Sequence, residues 1–292
     1  MNPPERSRLT CSDGLRGRLS GEYARTKLSF LDDYVPLALA VTHRMPRRWF
    51  LDLFAGPGRN IDRDRARAEF EGSPIRALQL TAKDGTPFTD AFFVNKELPD
   101  HEALNERVSR LCAAGGSRIA ENRIRILNED TNLVLPAIME RIPRPDYVVA
   151  FADITGLKHW PMSSVRELHS HGHLSVDLYL LFPLEIALQR KLSFKQGMTD
   201  RYADDLTAFF GCEDWRPIWE RRVTSADTAG LKRELTELYK TKLREQWRYV
   251  ETQDTIGISD KRRLYRMIFA SNHPIADKIA KWQRTSRQTG LF

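Results

Sequence analysis

The segment richest in chemical possibility is Phe50-Leu51-Asp52-Leu53-Phe54-Ala55-Gly56-Pro57-Gly58. Gly56 and Gly58 would let backbone N–H groups come close to a ligand. Asp52, four residues before the first glycine, supplies a charge for a cationic group. A dinucleotide fingerprint would have a third glycine where Ile61 stands, which argues against a pyrophosphate seat. Three later segments add polar groups. Val94-Asn95-Lys96-Glu97 offers a carboxylate at Glu97 and an amide at Asn95; both can hydrogen-bond a hydroxyl, the amide without charge assistance. Asn128-Glu129-Asp130 offers Asp130 as an acceptor. Ala152-Asp153-Ile154 offers Asp153, which can orient or deprotonate a reacting group. No cysteine stands beside Asp153, so attack by a thiolate is unsupported.

These residues need a scaffold, and the pattern supplies one. Trp49 to Phe54 reads as a buried strand, and Ala91 to Val94, Arg123 to Leu127, Tyr147 to Ala152 and Ser175 to Phe182 as further strands. Helices are expected over Gly72-Ser73-Pro74 onward with Ser73 as N-cap, over Pro99 to Leu111, over Asn132 to Arg141 and near Ser164 to Ser170. Strands alternating with helices predict an α/β fold, a mostly parallel sheet covered on both faces. Glu22 to Val41 reads as a helix broken or bent at Pro36. Arg59 to Glu71 reads as a charged loop. Residues 185–249 turn helical and charge-rich, with Trp215, Ile218, Trp219, Leu231, Leu235 and Leu238 as an apolar stripe. They are expected to form an insertion within one domain spanning residues 1–292. Tyr249 to Ile258 and Leu264 to Ala270 predict two final antiparallel strands. Residues 1–21 read as a polar, Arg-rich segment, loose at its beginning.

In this frame every candidate falls at a strand exit, where open α/β sheets bind ligands. The Asp-x-x-x-Gly-x-Gly form resembles motif I of S-adenosylmethionine methyltransferases. That resemblance implies S-adenosylmethionine as cofactor, with Phe54, Ala55, Gly56 and Gly58 shaping its turn and Asp52 near the ammonium. It implies Glu97 or Asn95 at the ribose, Asp130 at the adenine and Asp153 facing the methyl acceptor. Plainer alternatives stay open: an ordinary strand-exit turn, a charged loop end at Glu97, a helix N-cap at Asp130 and a turn-capping acid at Asp153.

The 292 residues are 41% apolar and 29% charged, an ordinary globular balance. No run of 18 apolar residues occurs and the start lacks an apolar core, so neither a membrane span nor a secretory signal is expected. Cys11, Cys112 and Cys212 are too few and too far apart for a disulfide framework, and a cytoplasmic location follows. His169-Ser170-His171-Gly172-His173 reads as a polar loop, and no metal site is expected. Net charge is +7. The basic C-terminal tail from Lys261 to Phe292, with Trp282 and Phe292, either tracks nucleic-acid phosphates or forms a solvated face.

Several separated blocks resemble the three-Cys-motif partner protein family. They are Thr26-Lys27 with Leu31 and Tyr34, Asp52 to Gly58, Gly72-Ser73-Pro74 with Ala77-Leu78, and Leu264 through Ser271-Asn272-His273-Pro274. The resemblance implies a Rossmann-like class I methyltransferase fold of bacterial or phage origin. It also implies a three-cysteine radical-S-adenosylmethionine-type partner protein. The chain departs from the family at Asn95, where an acid is usual, and at Ile154-Thr155, where Pro-Phe is usual. Ser271 to Pro274 either lines the site or shapes the last strand's exit. Two functions fit: a methyltransferase acting on nucleic acid or a nucleic-acid-associated target, or a binding subunit that keeps the fold to serve its partner.

Overall fold

The computed structural model describes residues 9–65, 67–154, 156–173, 175–183, 200–259 and 262–274. Seven strands form the main sheet: β3 (Arg48–Asp52), β6 (Asp90–Asn95), β7 (Ile124–Asn128), β8 (Tyr147–Ala152), β9 (Val176–Phe182), β10 (Tyr249–Ser259) and β11 (Arg262–Ser271). Their spatial order is β7-β6-β3-β8-β9-β11-β10. Counted in chain order that is 3-2-1-4-5-7-6, the order of the class I methyltransferase sheet. β11 pairs antiparallel with both its neighbours, and the remaining pairs are parallel.

Alternation within the strands builds two cores. Tyr147, Val149 and Phe151 of β8 join one cluster, and Val148, Ala150 and Ala152 the other. The first is covered by α1 (Glu22–Val41), α2 (Ser73–Gln79) and α3 (Leu98–Ala113). The second is covered by α4 (Thr131–Arg141), α5 (Met162–Glu167), α6 (Asp200–Phe210) and α8 (Thr228–Leu243), with α7 (Trp215–Thr224) in between. Trp215, Leu231 and Leu235 are fully buried there, and Ile218, Trp219 and Leu238 are half-buried against the same core. Residues 185–199 of the expected helical stretch lie outside the described residues.

Four expectations change. Of the two readings at Pro36, broken or bent, the break is ruled out, since α1 continues through it. The N-cap of α2 is Gly72, with Ser73 one position inside the helix. The charged loop is a β-hairpin, β4 (Arg59–Asp62) and β5 (Glu69–Glu71). Much of the polar N-terminal segment is also strand: β1 (Leu9–Thr10) and β2 (Arg16–Ser20) complete a second sheet of order β1-β2-β4-β5. The start of that segment, residues 1–8, lies outside the described residues.

The second sheet sits on the glycine turn and is clamped there. The buried Arg107 of α3 grips Asp13 with two nitrogens at 2.8 and 2.9 Å. Its Nη1 donates to the carbonyls of Arg16 at 2.7 Å and Pro57 at 2.5 Å. Arg16 pairs with Asp100 at 2.6 Å. Burial works against ionisation of Asp13, yet Arg107, the Leu15 N–H and Arg59 together outweigh it and hold that carboxyl below the usual range.

The Ser271 to Pro274 block shapes the exit of β11 and stands away from the site. β11 runs against the parallel strands, so Ala270 faces Leu178 near the start of β9, and its end lies at the sheet edge opposite the other exits. There the Asn272 Oδ1 accepts the Arg248 N–H at 2.8 Å. Nearby, the buried Asp177 accepts the hydroxyls of Tyr34 and Tyr147.

Candidate functional site

The strand order reverses at β3, which has β6 on one side and β8 on the other. Chains leaving these strands diverge and open a crevice at their carboxyl ends. A cleft of about 480 Å³ lies there, lined by Arg18, Leu53, Phe54, Gly56, Asn95, Glu97, Asp130, Asp153, Lys158 and His159 among others. That volume suits a small organic ligand, for which roughly 300–1,000 Å³ is usual. Phe54 leans edge-on against Trp160 at 6.0 Å and gives the cleft an aromatic wall.

The turn after β3 holds Gly56 at φ +66° and Gly58 at φ +82°, a region closed to most side chains. The two glycines face different surroundings. A Cβ on Gly56 would meet the Arg18 guanidinium at 3.1 Å, on the cleft side. A Cβ on Gly58 would meet Leu104 at 2.8 Å and Ile75 at 3.3 Å. Gly58 therefore serves close packing of α2 and α3 behind the turn, and it does not line the cleft. Ala55 is buried, with its N–H on the Val94 carbonyl at 3.0 Å, and it too sits behind the turn.

Asp52 does not line the cleft either. It is completely buried at the end of β3; one oxygen accepts the Phe54 N–H at 3.3 Å and the other has no hydrogen bond. Burial, only partly offset by the nearby Ser73 hydroxyl and the Phe54 N–H, pushes its carboxyl up to about 7.

Asn95 explains its own departure from acid. It is buried, and its amide nitrogen donates to the Gly56 carbonyl at 3.0 Å. A carboxylate there would set oxygen against oxygen. The amide thus braces the glycine turn, and Glu97, exposed on the cleft wall, is the carboxylate of this strand exit. Asp130 caps α4 through the Asn132 N–H at 2.9 Å and takes Lys96 at 2.7 Å. Burial raises this carboxyl, but those partners prevail and hold it below the usual range. A carboxylate offers about four acceptor positions, so capping leaves room for a ligand donor.

Asp153 lies at the end of the cleft nearest α1 and is almost buried. Lys27 of α1 reaches in and pairs with it directly, and Arg18 of β2 stands 3.8 Å from the same oxygen. Neither cation is signalled by the sequence as a site residue, although Lys27 belongs to the Thr26-Lys27 block. They come from elements far from Asp153 in the chain, and no local spacing marks them.

The described residues contain no group of three metal-ligating side chains. Within the histidine run, His169 stacks edge-on against Trp247 at 4.4 Å, and burial lowers its pKa to about 4. The buried His173 ring nitrogen lies 2.9 Å from the Met139 carbonyl.

No protein-family model matches the chain, and no curated protein matches it in sequence. Among solved structures it is similar to a Legionella pneumophila protein of family DUF519, at 10% identity over 88% of this chain and 91% of that one, TM-score 0.46. It is similar to a putative O-methyltransferase from Klebsiella pneumoniae, at 12% identity over 86% and 87%, TM-score 0.45. It is similar to spermidine synthase from Thermotoga maritima, at 10% identity over 92% and 66%, TM-score 0.44. At such scores these likenesses carry no argument about activity; the fold rests on the chain's own strand order.

Proposed function

We propose that this chain binds S-adenosylmethionine in the switch-point cleft and is a methyltransferase. The observation that carries the reading is the cleft's placement. It opens where β3 and β8 part, with a positive-φ glycine turn at one end and a cleft-facing carboxylate, Glu97, after the second strand. The residues present fit the group: Glu97 for the ribose hydroxyls, Asp130 for the adenine amino group, Phe54 for an apolar flank and the Gly56 turn for the amino-acid end. The cofactor would supply an electrophilic methyl on a sulfonium. The protein's part is alignment and exclusion of water, which methyl transfer needs more than it needs a strong base. Asp153, held by Lys27, would face the acceptor as an orienting group.

The acceptor we favour is nucleic acid or a nucleic-acid-associated target. The basic tail supports it, although residues 275–292 lie outside the described residues. The sequence blocks that resemble the three-Cys-motif partner proteins support a radical-S-adenosylmethionine-type partner. Three free thiols support a cytoplasmic location, and no described helix is long and apolar enough to cross a membrane. The binding-subunit reading draws on one observation: Asp153, the acid nearest the acceptor, is already paired with Lys27.

Calorimetric titration of S-adenosylmethionine and S-adenosylhomocysteine into the purified protein tests the proposal. Micromolar binding is the expected result. A folded protein that binds neither removes the cofactor and leaves the binding-subunit reading.

A further inference from the structure

Arg18 differs from the paired cations of the cleft wall, and from Lys158, which is exposed on a short turn with water to serve it. Lys96 is engaged by Asp130 and Lys27 by Asp153. The Arg18 guanidinium makes no hydrogen bond to any described residue. Its nearest acid is Asp153 at 3.8 Å, and its side chain is 39% exposed into the cleft. An arginine on an open surface would need no explanation, since water serves it. This one is held in place. β2 carries it, and the clamp from Arg107 to Asp13 and the Arg16 carbonyl, with the Arg16–Asp100 pair, holds β2. Pairing of Arg18 with Asn60 sets its register against β4.

The guanidinium lies over the glycine turn. A Cβ on Gly56 would come within 3.1–3.4 Å of all three of its outer atoms, so the missing side chain is what admits it. A planar fork of five donors, carried over the turn by a clamped strand and short of acceptors, matches an anion with two parallel oxygens.

We infer that Arg18 receives the carboxylate at the amino-acid end of the ligand, so the cleft selects adenosyl compounds that keep this group. The inference rests on the cofactor reading above. A terminal phosphate of an adenine nucleotide would satisfy the same fork, and the test separates the two sources.

The experiment titrates three ligands into the full chain and into Arg18→Gln. They are S-adenosylhomocysteine, its decarboxylated form (which lacks only the carboxylate) and ADP. The wild type binds S-adenosylhomocysteine more tightly than the decarboxylated form. Arg18→Gln weakens the first roughly 10- to 100-fold, the range for a lost charge-assisted pair, and the second less than about twofold. Retained binding of the decarboxylated form shows that the variant is folded, and Arg18→Lys recovers part of the loss. Equal losses for both adenosyl ligands, or none for either, overturn the assignment to the carboxylate while the cofactor reading stands. Preferred, Arg18-dependent binding of ADP overturns it in favour of a phosphate. A wild type that binds neither adenosyl ligand overturns both the cofactor reading and this inference.

Discussion

Asp52→Asn should stabilise the protein more at high pH than at low pH. In the folded chain the Asp52 carboxyl is fully buried with one oxygen unbonded, and it keeps its proton up to a pH of about 7. In the unfolded chain it loses the proton near 3.8. Between these values the native state binds more protons, so stability falls as pH rises from about 4 to 7 and is level above that. A shift of about 3 units, at about 1.36 kcal/mol each, costs the wild type about 4 kcal/mol at pH 8. At pH 5 the same linkage costs about 1.7 kcal/mol. Asparagine does not titrate, so its advantage should grow by about 2.5 kcal/mol from pH 5 to pH 8. The new amide brings its own unmet N–H, an offset independent of pH. The slope is therefore the quantity to read. Urea unfolding followed by tryptophan fluorescence, for both proteins at several pH values, measures it. A difference that stays constant with pH refutes the reasoning. The same variant should leave S-adenosylhomocysteine affinity within about threefold, because Asp52 does not line the cleft.

Two further substitutions probe the packing around the turn. Lys27→Met removes the direct partner of the nearly buried Asp153. With Arg18 at 3.8 Å as partial compensation, a loss of about 2–3 kcal/mol in urea unfolding is expected, and Lys27→Met with Asp153→Leu should recover most of it. Gly58→Ala puts a methyl 2.8 Å from Leu104 at φ +82° and should cost about 2–4 kcal/mol. Gly85→Ala, at φ +86° in open space, should cost about 1 kcal/mol, so thermal melts of the pair separate packing from backbone strain.

The centre of the main sheet was legible because β3, β6, β8 and β9 are buried on both faces. Val148-Val149-Ala150-Phe151-Ala152 can hardly be anything else, and Tyr147–Ala152 was bounded to the residue. The second sheet was not legible. Arg16–Ser20 and Arg59–Asp62 carry little apolar signal, and their pairing, Arg18 opposite Asn60, joins parts of the chain separated by α1 and β3. Local pattern sees neither partner. The same blindness hid Arg18 and Lys27. Asn95 was visible as a departure from acid, yet its reason lies in a carbonyl, that of Gly56, which no sequence pattern displays. Asp52 and Gly58 match a motif but do not line the cleft, Asp52 being buried at the end of β3 and Gly58 packed against Leu104 and Ile75. The Ser271 to Pro274 block read equally well as site or strand exit, and the antiparallel direction of β11 decided it.

The β4–β5 hairpin leaves and returns at one point. The Gly72 N–H donates to the Gly58 carbonyl at 2.8 Å, and a Cβ on Gly72 would lie 3.2 Å from the Gly58 carbonyl carbon. Pinched at its neck, the excursion over residues 59–71 has a length that the helix behind it never feels. Residues can be added or removed at the hairpin's far end without displacing either glycine, since loop closure responds only slowly to length. The arrangement works as a socket. The floor of the cleft is constant, and the hairpin, which lines none of it, is an exchangeable part whose β4 edge sets where β2, and with it Arg18, docks. Transplanting a different hairpin between these two glycines would shift β2 and Arg18 while the floor stayed as it is.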